Sequence, residues 1–337
     1  MTALPASAPA RPAITPAAAP AAETPYIRPD VKAYLDNLAA HPRPAMSDAM
    51  IAQIRKIPPE MMARLAASGD APLGTLAVDR TLSMPGPGGE MQLRLFDARA
   101  ERGAGPVLVF YHGGGFVVGS IATHAALAAE MARQLDVPVV SVEYRLAPEA
   151  KWPAAPDDAE AAARWVAANP AALGRQADSL ILSGDSAGGT LTLVTALALR
   201  DKPAAVPVKM MIPIYPMADA SKVYPSAVQF TGAFGLTRED VAYYGKAYAP
   251  NVNSPRHSAL LADLKGLPPT VLATAALDPL RDGGRAFANK LILAGVPTAY
   301  YEAAGNIHGY TTFRKGIPSA QGDLDQIMAL ARAMMGK

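Results

Sequence analysis

The feature that most constrains the fold is a regular alternation of short apolar runs with helix-length segments, which begins near Val107. Apolar runs of this length are typical of buried strands, and the segments between them carry apolar residues at helical spacing. The predicted strands lie at 107–111, 138–143, 180–183, 208–214, 270–275 and 298–302, and the predicted helices at 123–135, 156–168, 187–200, 282–294 and 322–335. The pattern predicts an α/β fold in which helices cover both faces of a mostly parallel sheet.

Two further strands precede this alternation. Residues 81–84 and 91–96 are joined by Pro-Gly-Pro-Gly-Gly at 85–89, which is typical of a β-hairpin. The hairpin adds an antiparallel edge to the predicted sheet.

Two segments fall outside the alternation and are predicted to form a cap. Residues 30–67 carry apolar residues at helical spacing in two or three pieces. Residues 215–269 are rich in aromatic side chains, with a helical stretch at 237–248, and an insertion this long at the carboxyl edge of a parallel sheet is typical of a lid. The predicted division is a leader at 1–25, cap segments at 26–75 and 216–250, and core segments at 76–215 and 251–337.

Composition narrows the class of protein. Half of the 337 residues are apolar, which is enough for a large core, and the 31 basic and 29 acidic residues leave a net charge of +2. This balance indicates a small, weakly charged partner and no nucleic acid. Because there is no cysteine, disulfides, thiolate metal sites and a cysteine nucleophile are excluded. No apolar run is long enough to predict a membrane span.

The first 25 residues hold ten alanines and six prolines, a composition in which neither a helix nor a strand propagates far. We expect a disordered leader. The first basic residue is Arg11 and prolines interrupt the apolar stretch, so the segment does not resemble a secretory signal. The expected location is therefore the cytoplasm.

A sharp turn stands where the predicted strand at 180–183 ends. The turn reads GDSAGG at 184–189, and an apolar helix-like segment follows it. A serine held on a strained turn between strand and helix needs neighbours without bulky side chains, and Gly184 and Gly188 flank Ser186 in this way. The pattern predicts that Ser186 is a nucleophile exposed at the carboxyl end of the sheet.

A serine hydroxyl near neutral pH needs a base within hydrogen-bond reach and an acid that orients the base. Of the five histidines, His308 follows the last predicted strand in the loop GNIHGY and is the predicted general base. Asp278 follows the apolar run at 271–277, where Pro279 fixes the turn out of the strand, and is the predicted orienting acid. Its competitor, Asp282, stands where a helix begins and is better explained as a capping or first-turn acid.

Backbone donors for a developing oxyanion are predicted in a glycine run. The sequence HGGGF at 112–116 follows the strand at 107–111, and successive glycines allow the backbone to approach a ligand closely. The predicted donors are the N–H groups of Gly114, Gly115 and Ala187, with Gly113 less favoured. His112 is interpreted as a structural hydrogen-bonding residue of this loop. The absence of GxGxxG and of a P-loop lysine argues against a phosphate loop.

Five motifs now stand in a recognisable order: HGGGF at 112–116, YRLAPE at 144–149, GDSAGG at 184–189, DPLRD at 278–282 and HGY at 308–310. Together they resemble the hormone-sensitive-lipase-like carboxylesterases, bacterial esterase family IV, and the order serine, acid, histidine is that of α/β-hydrolases. The chain departs from the family pattern at Gly283 and Gly284, where an acidic residue is usual, and at Tyr310, where phenylalanine is commoner.

The resemblance implies an α/β-hydrolase fold with a two-part helical cap and a triad of Ser186, Asp278 and His308. It implies hydrolysis of a small-molecule, short-acyl ester through an acyl-enzyme, with no cofactor and no metal ion. Arg145 and Glu149 match a family segment that braces the core. The family often forms dimers, so a homodimer is one outcome and the oligomeric state stays open.

Alternatives remain at this point. An amidase, a lactonase and an acyltransferase would use the same triad. A ligand-binding protein without catalysis is a further alternative, because plant gibberellin receptors resemble this family but lack the catalytic histidine. The presence of His308 argues against that alternative.

Overall fold

The computed structural model describes residues 24–232 and 234–336, so the predicted leader lies almost entirely outside the described residues. Its centre is an eight-stranded sheet. The strands are β1 (Val78–Gly86), β2 (Gly89–Asp97), β3 (Gly105–Tyr111), β4 (Val139–Val142), β5 (Ala177–Asp185), β6 (Val208–Ile214), β7 (Thr270–Leu277) and β8 (Thr298–Ile307).

Ten α-helices accompany the sheet in the described part of the chain. They are α1 (Pro29–Ala40), α2 (Asp48–Ile54), α3 (Pro59–Gly69), α4 (Ala125–Leu135), α5 (Ala154–Ala167), α6 (Ala187–Asp201), α7 (Pro225–Gln229), α8 (Arg238–Tyr248), α9 (Arg281–Leu293) and α10 (Ser319–Met335). None of these helices combines the length and the apolarity needed to cross a bilayer.

The strands lie in the order β1-β2-β4-β3-β5-β6-β7-β8. The β1–β2 hairpin turns between Gly86 and Gly89, β2 pairs antiparallel with β4, and β3 to β8 run parallel. The predicted α/β fold, with a mostly parallel sheet and an antiparallel edge, is confirmed. Because the carboxyl ends of parallel strands lie at one edge, the segments after β3, β5, β7 and β8 emerge on the same side of the sheet.

Side chains of β3 show how both faces of the sheet are buried. Val107, Val109 and Tyr111 join one apolar cluster, whereas Leu108 and Phe110 join the other. Successive side chains of a strand point to opposite faces, so a strand covered by helices on both sides must be apolar throughout. This explains why the central strands appear in the sequence as continuous apolar runs.

The N-terminal helices contact the insertion between β6 and β7. Arg43, in the link between α1 and α2, forms an ion pair with the buried carboxylate of Asp240 in α8. The hydroxyl of Tyr243, also in α8, donates to Asp48 Oδ1 at 2.9 Å. Two segments that are distant in sequence are therefore tied together.

Candidate active site

Ser186 occupies the turn between β5 and α6 in a backbone conformation that residues other than glycine rarely adopt. Its backbone angles are φ +53° and ψ −116°. A Cβ at Gly188 would lie 1.9 Å from the Tyr111 carbonyl oxygen, and a Cβ at Gly184 would lie 2.5 Å from the Gly188 carbonyl carbon. Only glycine fits at these two positions, because the strand, the turn and the helix approach so closely. The tight turn places Ser186 at the carboxyl edge of the sheet.

Ser186, His308 and Asp278 form one hydrogen-bonded row. His308 Nε2 lies 2.8 Å from Ser186 Oγ, and His308 Nδ1 lies 2.7 Å from Asp278 Oδ2. The carboxylate accepts from Nδ1–H, which leaves Nε2 free to accept the hydroxyl proton of Ser186. Asp278 is fully buried, and its second oxygen accepts from the N–H of Leu280 at 2.8 Å. The structure therefore brings together three residues that lie at the ends of three strands.

The charge on Asp278 sets the basicity of His308. Burial alone would lower the pKa of the imidazole, but contact with the Asp278 carboxylate outweighs burial, and the pKa is raised above its ordinary value of 6.5. The buried carboxylate of Asp185 adds a smaller effect in the same direction. His308 is thus a stronger base than a free imidazole, as a group that takes the Ser186 proton requires.

This raised pKa has a measurable consequence. Only neutral His308 accepts the hydroxyl proton, so kcat/KM for an ester should fall as the pH drops and His308 becomes protonated. Because the pKa is raised, the midpoint of this acid limb is expected above 6.5. A pH profile of kcat/KM at constant ionic strength checks it, and a midpoint below that value would contradict a raised pKa of His308.

The glycine loop after β3 leaves backbone donors available beside Ser186. Gly114 and Gly115 both have positive φ, at +116° and +61°, which glycine adopts without strain. Within the described part of the chain, the N–H groups of Gly114, Gly115 and Ala187 donate to no acceptor. In contrast, the N–H of Gly113 donates to Asp185 Oδ1 at 2.9 Å. The bond made by Gly113 agrees with its lower rank among the predicted donors.

Asp185 and His124 lie against each other, buried beneath this loop. His124 Nε2 lies 3.4 Å from Asp185 Oδ1. Burial alone would raise the pKa of Asp185 and lower the pKa of His124. The attraction between the two side chains outweighs burial, so the pKa of Asp185 is lowered and the pKa of His124 is raised. The Gly113 N–H lies 3.3 Å from His124 Nε2, so Asp185 Oδ1, at 2.9 Å, is its closer acceptor. Asp185, the residue before Ser186, therefore anchors the first glycine of the loop.

The partnership of Asp185 and His124 was not predicted, because 61 positions separate the two residues and only the pairing of β3 with β5 brings them together. The available signal in the sequence was the charged Asp185 just after an apolar predicted strand, whose end is fully buried in the structure. A buried carboxylate there requires a partner.

His112 holds the same end of the loop. Its Nδ1 lies 2.7 Å from the Gly113 carbonyl oxygen, and the Tyr144 hydroxyl donates to the His112 carbonyl oxygen at 2.7 Å. Burial and the nearby charge of His124 lower the pKa of His112 to about 3. His112 is therefore neutral, and its contacts are those of a structural residue.

The remaining candidates lie away from the Ser186 hydroxyl. Asp282 stands in the first turn of α9, where Oδ2 accepts from the Ser226 N–H at 2.9 Å and Oδ1 accepts from Arg281 Nε at 2.9 Å. Arg145 binds the buried carboxylate of Asp158 with two bonds of 2.8 Å. Glu149 pairs with Arg55 at 3.1 Å. In the described residues no group of three or more His, Asp or Glu side chains is arranged to hold a metal ion.

Two departures from the family pattern have a packing explanation. A Cβ at Gly284 would lie 2.6 Å from Thr274 Cγ2, so glycine lets α9 pack closely on β7. The buried ring of Tyr310 lies edge-on to Tyr215, with centroids 5.2 Å apart. Tyr215 in turn lies 4.9 Å from the ring of His308. Tyr310 thus packs against Tyr215, whose ring in turn contacts His308.

Comparison with known proteins agrees with the motifs and the geometry. The sequence matches the family model for the alpha/beta hydrolase fold over residues 108–312. It is 35% identical over 272 residues to carboxylesterase NlhH of Mycobacterium tuberculosis, covering 79% of this chain and 82% of that one. Esterase LipI of the same organism is 35% identical over 246 residues, covering 71% and 77%. A hyperthermophilic esterase from the archaeon Pyrobaculum calidifontis has a TM-score of 0.81 at 34% identity, covering 93% of this chain and 99% of that one. The chain therefore belongs to the hormone-sensitive-lipase-like carboxylesterases of the α/β-hydrolase fold.

Proposed function

We propose that this carboxylesterase hydrolyses small, short-acyl esters, with Ser186 as nucleophile, His308 as general base and acid, and Asp278 as the residue that orients His308. The observation that carries the assignment is the row of two short contacts, 2.8 Å from Ser186 Oγ to His308 Nε2 and 2.7 Å from His308 Nδ1 to Asp278 Oδ2. Such a row activates a serine hydroxyl at neutral pH.

The first half of the reaction forms an acyl-enzyme. Ser186 Oγ attacks the ester carbonyl carbon while His308 Nε2 takes the hydroxyl proton. The carbonyl oxygen becomes an oxyanion, and the N–H groups of Gly114, Gly115 and Ala187 donate to it. When the tetrahedral intermediate collapses, the bond to the alcohol oxygen breaks and His308 returns the proton to that oxygen.

The second half releases the acid. A water molecule gives a proton to His308 Nε2 and attacks the acyl carbon, and the same three N–H groups stabilise the second oxyanion. Collapse breaks the bond to Ser186 Oγ, which regains the proton from His308. Asp278 accepts from His308 Nδ1–H and stabilises the imidazolium that forms.

We also propose that residues 26–75 and 216–250 together form a cap over the site. The ion pair of Arg43 with Asp240 and the hydrogen bond of Tyr243 with Asp48 support this proposal. A third contact reaches the site itself, because the ring of Tyr244 lies against Gly115. A lid at this place would limit the acyl and alcohol groups that reach Ser186.

Labelling and turnover together test the function. The full chain should hydrolyse p-nitrophenyl esters, with kcat/KM highest at acetate to hexanoate and falling toward decanoate. A fluorophosphonate should label the chain once, at Ser186, and stop turnover. Labelling without hydrolysis of any ester in the series would indicate a binding protein on this fold. A maximum at decanoate would overturn the short-acyl preference alone.

A further inference from the structure

Helix α8 presents two aromatic rings to two consecutive residues of the glycine loop. The ring of Tyr244 lies directly over Gly115, where a Cβ would come within 2.5 Å of the ring carbons. The ring of Tyr248 stacks on Phe116, with centroids 4.1 Å apart and planes inclined by 8°. Residues four apart lie on one face of a helix, so a single face of α8 covers both loop residues.

The loop needs such support because its conformation is disfavoured. Gly115 and Phe116 are consecutive and both left-handed, with φ of +61° and +64°. Glycine adopts this region freely, but a bulky residue such as phenylalanine does so only when its surroundings hold it. The stacked ring of Tyr248 is one such constraint, and the Ala147 N–H, which donates to the Phe116 carbonyl oxygen at 2.8 Å, is another.

Helix α8 is in turn fixed to its surroundings. A capping box joins Thr237 and Asp240 at its first turn, and Asp240 also pairs with Arg43. At the other end, the Trp152 N–H donates to the Tyr248 carbonyl oxygen at 3.0 Å. A helix held at both ends presents its tyrosine rings at fixed positions.

We propose that Tyr244 and Tyr248 are positioning residues, which hold Gly115 and Phe116 through their rings and so aim the backbone donors of the glycine loop at the oxyanion. The proposal rests on the proposed function, because it assigns these donors to the oxyanion of that reaction. It gives the cap a role in the chemical step in addition to its contact with substrate.

The hydroxyl groups of both tyrosines are dispensable in this role. The Tyr248 hydroxyl is buried and has no hydrogen-bond partner in the described part of the chain. Within the same residues the Tyr244 hydroxyl also forms no hydrogen bond. Phenylalanine at either position keeps the ring and should keep the loop in place. Leucine removes the planar ring and should release it.

The experiment compares Tyr244→Phe, Tyr244→Leu, Tyr248→Phe and Tyr248→Leu in the full chain, with kcat and KM measured on p-nitrophenyl acetate, butyrate and hexanoate. Loss of a single oxyanion donor lowers kcat by about 10²- to 10³-fold in known cases. A misplaced donor should therefore lower kcat by about tenfold or more in each leucine variant. This loss should be equal for the three esters, with KM changed less than about twofold. The phenylalanine variants should match the parent.

Binding of a trifluoromethyl ketone gives a second readout. This inhibitor forms an oxyanion on the serine, so its affinity should fall in the leucine variants by the same factor as kcat. Val241→Ala changes an exposed side chain of α8, 42% accessible, and serves as the matched control with unchanged kinetics.

Two results would overturn the proposal. If the leucine variants keep the parental kcat and show a KM that depends on acyl length, the two rings only line the substrate pocket. Equal losses in the phenylalanine and leucine variants would assign the effect to the hydroxyls. Thermal unfolding monitors folding, and if a leucine variant does not fold, methionine, which fills the volume without a planar ring, replaces it under the same criteria. Failure of the proposed function is a separate result, since the parent chain would then neither hydrolyse the esters nor be labelled at Ser186.

Discussion

Replacement of Ser186 by alanine is expected to lower kcat for p-nitrophenyl acetate by about 10⁴-fold or more while the chain stays folded. His308 Nε2, 2.8 Å from Ser186 Oγ, then has no hydroxyl to deprotonate, and the covalent route is closed. Alanine occupies less space than serine and meets the same backbone demand at φ +53°, so the free energy of unfolding should change little. Steady-state kinetics and thermal unfolding of the purified variant measure the two effects.

The triad should also behave as one unit. The double variant Ser186→Ala/His308→Ala should be no slower than Ser186→Ala alone, because a base without its nucleophile contributes nothing to the step. Ser68→Ala changes an exposed serine at the end of α3 and is the matched control. Turnover of the Ser186→Ala variant at the parental rate would remove Ser186 from the mechanism.

Replacement of Arg314 by methionine is expected to lower the free energy of unfolding more than any other single substitution considered above. Arg314 lies shortly after His308 in sequence and binds Asp70, at the end of α3, with bonds of 2.8 Å and 3.1 Å. Both residues are at least 95% buried. Arg314→Met leaves the Asp70 carboxylate buried without its partner, which should lower the free energy of unfolding by about 3–5 kcal/mol.

The double variant Asp70→Leu/Arg314→Met separates the cost of an unpaired buried charge from the loss of the ion pair itself. An apolar pair leaves no buried charge, so this variant should recover much of the stability that Arg314→Met loses. Asp36→Asn is the matched control, because Asp36 pairs with Lys32 on the surface, where both side chains are more than 60% exposed. Solvent-exposed ion pairs contribute little to the free energy of unfolding. Differential scanning calorimetry would contradict this account if Arg314→Met unfolded at the same temperature as Asp36→Asn.

Much of the fold was predictable because buried parallel strands must be apolar along their whole length. The strands at 107–111 and 208–214 were placed within two residues of their observed ends. The strand at 298–302 was predicted too short, since β8 continues to Ile307 through Gly305 and Asn306. These two residues are typical of turns, and only pairing with β7 and burial of Asn306 keep them in the strand. The short helix α7 was missed because five residues show no periodicity.

The site was predictable where the chemistry requires a residue type at a strand end. Ser186, Asp278 and His308 each follow a strand, and a parallel sheet brings strand ends to one edge. The contacts of Tyr244 and Tyr248 with the glycine loop were not predictable in the same way. They join segments more than 120 positions apart, and the sequence of the insertion showed only that it is aromatic and partly helical.

If Tyr244 and Tyr248 position the glycine loop as proposed, the face of α8 that carries them limits which changes of length the proposed cap tolerates. Each residue of an α-helix advances the direction of its side chain by about 100°. One residue inserted or deleted between Thr237 and Tyr244 would therefore turn both rings away from Gly115 and Phe116. A change of length in the loop before Thr237 leaves their orientation unaltered. We therefore expect a change of length in that loop to alter the access of substrate to Ser186 without moving the two rings, whereas a change in the length of α8 should disturb the glycine loop.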